Sequence, residues 1–152
     1  MKKKDTQIIG RLEIVDLPTW NLEEIEAKID TGAFSSSLHC HNIEEFEKEH
    51  QKWVKFNLLD PDHPSYNDRL ISLPIHDVRE VKSSNGQTEV RVFVKTNIRF
   101  FSDEFEIELS LTNRSEMKYP LLIGRKFLRK KFLVDVAKKH QTNRKHNSTK
   151  KI

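Results

Sequence analysis

The 152-residue chain has 27 Lys+Arg against 23 Asp+Glu, a formal net charge of +4, with 36% hydrophobic and 33% charged residues. That is the length of one domain. The charge sits at the two ends: +2 in residues 1–5 and +6 in residues 138–152, against +4 in all, leave residues 6–137 at −4. A body of that sign argues against a nucleic-acid groove built into the fold.

At the N-terminus, Met1-Lys-Lys-Lys4 is followed only by Ile8 and Ile9 before Arg11 interrupts, so a secretory signal is not expected. No stretch approaches the ~20 apolar residues of a membrane span. Cys40 is the single cysteine, which excludes an intrachain disulfide. A cytoplasmic protein without a membrane partner is expected, with a flexible N-terminus over 1–7 and one domain over 8–137. The basic, polar stretch 138–152 cannot bury enough apolar surface to offset its ordering entropy, which predicts a disordered tail.

Within the body the pattern is mostly of period two. Weak alternation over 8–17, 24–29, 53–59 and 71–75 predicts strands. Asn42 with Glu45 three residues on resembles a capped helix start and predicts a short helix through Ile43 and Phe46. Residues 78–83 and 88–94 flank Asn85-Gly86, which predicts a two-stranded arm with a tight two-residue turn. Glu104 to Leu111 alternates strictly, placing Phe105, Ile107, Leu109 and Leu111 on one face of a strand. A second short helix is expected over 125–131. These elements add up to a mostly β fold with one or two short helices.

The segment that can carry chemistry is Ala27-Lys-Ile-Asp-Thr-Gly-Ala33. An apolar strand delivers Asp30 into a Thr-Gly turn, where Gly32 permits a sharp reversal and turn N–H groups can fix a carboxylate. Thr31 can lock the loop with its hydroxyl. Alone, Asp-Thr-Gly reads equally as an ordinary turn. A second element, Tyr119-Pro-Leu-Leu-Ile-Gly124-Arg125, runs an apolar strand into a glycine, as needed where another backbone crosses closely.

Together with Trp53-Val-Lys-Phe56, Val81-Lys-Ser-Ser-Asn-Gly86, Arg91 and Phe132-Leu-Val-Asp135, these motifs resemble the retropepsin-like bacterial and archaeal family known as ATP-dependent zinc proteases, often encoded beside a glutamate ligase of the ATP-grasp class. The resemblance spans residues 8–137. It implies a closed retropepsin-like (acid protease) barrel with a flap hairpin. Catalysis would rest on Asp30, Thr31 and Gly32, and substrate would be held by Ala33, Lys82, Ser83, Ser84, Asn85, Gly86, Arg91 and Arg125.

Carboxylate-catalysed peptide hydrolysis needs one group to take a proton and one to give it, and two aspartates ~3 Å apart can divide those roles. One Asp30 cannot do both, so a homodimer pairing Asp30 across a two-fold axis is expected. Asp135 lacks a following Thr-Gly and reads as a turn cap, while Asp60, Asp62 and Asp68 read as a solvated loop. His39-Cys-His41 is the one dense group of metal-ligand types, without zinc-site spacing, and no Gly-rich phosphate loop is present. No metal or cofactor is expected. A basic rim of Arg79, Lys82, Arg91 and Arg125 on an acidic body, with the neighbouring glutamate ligase, points to acidic or glutamyl-rich peptides. A non-catalytic peptide-binding module and a zinc peptidase are the competing readings.

Overall fold

The computed structural model describes residues 6–58, 70–82, 85–113 and 118–142. Among these it is mostly β. The strands are β1 (Gln7–Ile9), β2 (Leu12–Leu17), β3 (Leu22–Ile29), β4 (Ser36–Lys48), β5 (Gln51–Leu58) and β6 (Leu70–Pro74). They continue with β7 (Asp77–Lys82), β8 (Thr88–Phe100), β9 (Asp103–Thr112), β10 (Leu121–Ile123) and β11 (Phe132–Val134). One short helix, α1 (Arg125–Leu128), and a 3-10 turn at Pro18–Trp20 complete the set. No helix among the described residues is long and apolar enough to cross a membrane.

Strands β2 to β10 form one sheet in the order β10-β3-β2-β8-β9-β4-β5-β6, with β7 on β8. Strand β10 lies parallel to β3 and also antiparallel to β4, so six strands close into a hydrogen-bonded ring. The core fills it with the fully buried Leu17, Ile25, Leu38, Phe56, Val94, Ile98, Leu109 and Leu121. Helix α1 is too short to hold itself. Phe127 seats it in an aromatic cluster with Phe100, Phe105 and Phe132 at centroid distances of 5.6, 5.8 and 6.2 Å. The alternation of β9 appears as expected, with Ile107, Leu109 and Leu111 inward.

Two local expectations are corrected. The helix predicted from Asn42 is strand: Ser36–Lys48 is one long β4 paired with β5, and its register slips between His41 and Glu44. Asn42 marks the slip with φ 56°, a left-handed position that Asn tolerates, and bonds Asn57 through its side chain at 3.0 Å. Cross-strand pairing with β5 overrides the capping signal. The β7–β8 arm is present, but its register, with Lys82 opposite Thr88, centres the turn on Asn85 and excludes the two-residue loop. Gly86 takes a positive φ, 86°, and the Asn85 side chain accepts the Gln87 N–H at 3.1 Å.

Strand β1 pairs in parallel register with β11 in a separate two-stranded sheet. Beyond it, residues 138–142, expected to belong to a disordered tail, are bonded to β2 and the residue before it. Arg11 N–H donates to Lys138 O (2.9 Å), His140 N–H to Leu12 O (2.8 Å), and the Thr142 hydroxyl to Ile14 O (2.6 Å). Fully buried Glu13 ties both ends, accepting the N–H groups of Gly10 (2.7 Å) and Thr142 (2.9 Å). Composition missed this because the anchor is a carboxylate inside β2, remote in sequence.

Candidate active site

Asp30 stands at the end of β3, where the parallel pairing of Ile29 with Ile123 of β10 delivers it. Its N–H donates to Ile123 O at 2.8 Å, which fixes the backbone. Its carboxylate accepts the Gly32 N–H on Oδ1 at 3.0 Å, and Ala33 N–H donates to Asp30 O at 3.2 Å. Among the described residues Oδ2 has no hydrogen-bond partner, and the side chain is partly exposed. A held carboxylate with one open oxygen can take a proton from water.

The loop after Asp30 wraps the start of α1. Arg125 N–H donates to Ala33 O (2.8 Å), Lys126 N–H to Phe34 O (3.0 Å), and Arg125 Nη1 to Thr31 O (3.1 Å). Gly124 permits this: a Cβ there would lie 2.4, 2.7 and 2.8 Å from the carbonyl oxygens of Ser35, Phe34 and Ala33. Its N–H is bonded to Ser36 Oγ at 3.0 Å. Thr31 contributes its carbonyl, and among the described residues its hydroxyl holds nothing.

Of the residues expected to touch substrate, Ala33 and Arg125 lie in this cluster. Lys82, Asn85 and Gly86 are exposed at the end of the β7–β8 arm, and Ser83 and Ser84 lie outside the described residues. Arg91 is not on an open rim. It is 8% exposed, bonded through Nε to Glu89 (2.7 Å) and through Nη1 to Ser110 Oγ (3.4 Å). Arg79 is likewise engaged, by Asp77 at 2.6 Å and Glu108 at 2.7 Å, with its guanidinium 4.1 Å from the Phe93 ring centroid. Opposing carboxylates on nearby strand positions absorb both arginines, which strand alternation alone could not reveal.

Glu108 joins the arm to the loop. At 15% side-chain exposure it meets Arg79, Lys126 (3.1 Å) and His76 (2.9 Å). Burial works against its charge, but hydrogen bonds from Arg79 and Lys126 prevail and hold its carboxyl below the ordinary value. A cavity of about 240 Å³ opens beside it, lined among others by Ser35, Lys95 and Lys126.

His39 is buried in β4, and no group of three His, Cys, Asp or Glu able to hold a metal occurs among the described residues. Burial pushes the neighbouring Cys40 thiol up to about 12. Asp135 caps a turn as expected, its Oδ1 accepting the Ala137 N–H at 2.9 Å. Asp60, Asp62 and Asp68 lie outside the described residues.

The chain is similar to several known proteins. Residues 8–145 match the RimB-like model, described as retropepsin-like aspartic endopeptidase RimB. A probable alpha-L-glutamate ligase of Shewanella pealeana is 40% identical over 132 residues, 84% of this chain and 28% of that protein. Another of the same name, from Parasynechococcus marenigrum, is 36% identical over 138 residues, 88% of this chain and 29% of that protein. The chain thus spans under a third of these relatives' length. A crystal structure of a Legionella pneumophila protein of unknown function is similar with a TM-score of 0.72 and 32% identity, over 91% of this chain and 99% of that one.

Proposed function

Since the chain belongs to the RimB-like family of retropepsin-like aspartic endopeptidases, we propose that it hydrolyses peptide bonds with Asp30 as the catalytic carboxylate. The observation that carries this reading is the Asp30 loop. One carboxylate oxygen is pinned by Gly32 N–H, the backbone is pinned to Ile123, and the second oxygen is left for water.

The reaction needs a second carboxyl group. In our reading a second copy of the chain supplies its own Asp30 across a two-fold axis. The ionised member takes a proton from the attacking water while the protonated one donates to the carbonyl oxygen, because two adjacent carboxylates do not ionise together. Breakdown of the tetrahedral adduct returns a proton to the leaving nitrogen. The β7–β8 arm, with Lys82 and the Asn85-Gly86 tip, would act as the flap.

Acidic or glutamyl-containing peptides are the proposed substrate class. Two observations support it: the name of the relatives describes formation of glutamyl bonds, and residues 125–131 beside the loop carry five Lys/Arg and no acid. The ligase name itself belongs to proteins of which the matched segment is 28%.

Asp30→Asn tests the catalytic assignment. It should reduce hydrolysis of a Glu-rich peptide by at least about 10³-fold, the scale of a lost acid–base group, while leaving peptide binding in place. Full activity in Asp30→Asn, abolished by a strong chelator, would replace this reading with a metal peptidase.

A further inference from the structure

Segment Arg125–Lys131 reads Arg-Lys-Phe-Leu-Arg-Lys-Lys, five cations without an acid, in a body of net −4. It lies against the Asp30 loop through the two backbone bonds from Arg125 and Lys126. Several neighbouring cations are matched by carboxylates, while Lys131 donates to Phe127 O and lies over that ring. Arg79 and Lys126 share Glu108, Arg91 has Glu89, and Lys95 has Glu106.

Arg125 and Arg129 differ. Among the described residues neither has a carboxylate within ion-pair reach. Both guanidinium groups instead lie over one ring, Phe34, at 5.8 and 5.9 Å from its centroid. Phe34 is 47% exposed, four residues after Asp30, on a loop whose carbonyl oxygens are held by α1. A large ring left half in water on a fixed loop has no role in the core. What it does is hold two like charges side by side, each attracted to its π face. The resulting field has no internal counter-charge, and a carboxylate would supply one. Backbone N–H groups are not the receptor, since those of Arg125 and Lys126 already serve Ala33 and Phe34.

We infer that Phe34, Arg125 and Arg129 form a specificity-determining subsite for a carboxylate of the peptide substrate. The two guanidinium groups bind its oxygens, and the Phe34 face orients them and packs on the aliphatic part of the acidic side chain. This rests on the proposed peptidase reading. It moves recognition of acid from the arm, where Arg79 and Arg91 are already neutralised, to the turn beside the catalytic loop.

The test uses the full chain carrying Asp30→Asn, so that binding is read without turnover, and titrates a Glu-rich peptide and its Gln counterpart. The Glu peptide should bind more tightly. Arg129→Ala should weaken it about tenfold, the scale of one lost charge-assisted bond, and leave the Gln peptide unchanged. Arg129→Lys should restore part of the loss, and Arg129→Glu should reverse the preference. In the chain with Asp30 intact, Arg129→Ala should raise KM for the Glu peptide and leave kcat unchanged. Unaltered Glu-peptide binding in both Arg125→Ala and Arg129→Ala would overturn the inference. So would a shifted monomer–dimer equilibrium in place of a changed peptide affinity, which would make the turn a contact between copies. Equal binding of the two peptides by the unsubstituted turn would also overturn it, even if neutral peptides were cleaved. Tight, Arg129-dependent Glu binding without any hydrolysis would sink the catalytic reading and leave the subsite standing.

Discussion

At the residue scale, three side chains show what burial does to chemistry that type alone suggests. Cys40 sits beside two histidines in sequence, an arrangement that invites a metal or a nucleophile. Its thiol is fully buried, and burial raises it from 9.0 to about 12. Native protein at pH 8 should therefore resist alkylation by iodoacetamide, with full labelling only after denaturation; mass spectrometry reads both. The linkage has a definite sign. Because the unfolded thiol ionises first, this contribution is complete below pH 9 and is lost as pH rises from about 9 towards 12.

Asp30 and Gly124 were legible in sequence because each answers a local demand, a sharp turn after an apolar strand and a close backbone approach. Arg91 was not. Its orientation is decided by Glu89 and Ser110, and the second of these lies nineteen positions away in sequence.

At the scale of elements, the Glu108 junction binds strand β9 to the β7–β8 arm and to α1. Replacing it with Gln keeps the shape but leaves Lys126 without a carboxylate and Arg79 with Asp77 alone. Glu108→Gln should cost ~2 kcal/mol at pH 7, the scale of lost bonds to charged groups, measured by urea unfolding. Its folded value is depressed, so its stabilisation is present above the ordinary 4.5 and is lost as pH falls below it. The difference between the two proteins should shrink when the titration is repeated at pH 3.5. The strands themselves were largely readable from alternation, β9 most cleanly. The break came at β4, where Asn42 and Glu45 imitate a helix cap. Pairing with β5 across the Glu49-His50 turn decides that segment, and a capping signal read over four residues does not include that partner.

At the scale of the molecule, the basic stretch after Ala137 is partly structural. Truncation after Ala137 removes the bonds to Arg11, Leu12 and Ile14 and leaves buried Glu13 with the Gly10 N–H alone. An under-satisfied buried carboxylate costs ~2 kcal/mol or more, which should lower Tm by about 8 °C. Glu13→Gln should recover part of that loss in the truncated chain and none in the full one, as differential scanning calorimetry would show. Closure of the sheet through β10 could not be read from sequence, because Leu121–Ile123 pairs with strands about 90 residues earlier.

The parallel pairing of β1 with β11 has a mechanical meaning. A tether on the leading end of β1 and another on the trailing end of β11 would pull along the strands in opposite directions. The three paired positions, Gln7 to Ile9 against Phe132 to Val134, would then bear the load together instead of unzipping singly. Stretched between those two tethers, the molecule should yield in one abrupt event, with the Asp30 loop still folded until that clasp gives way.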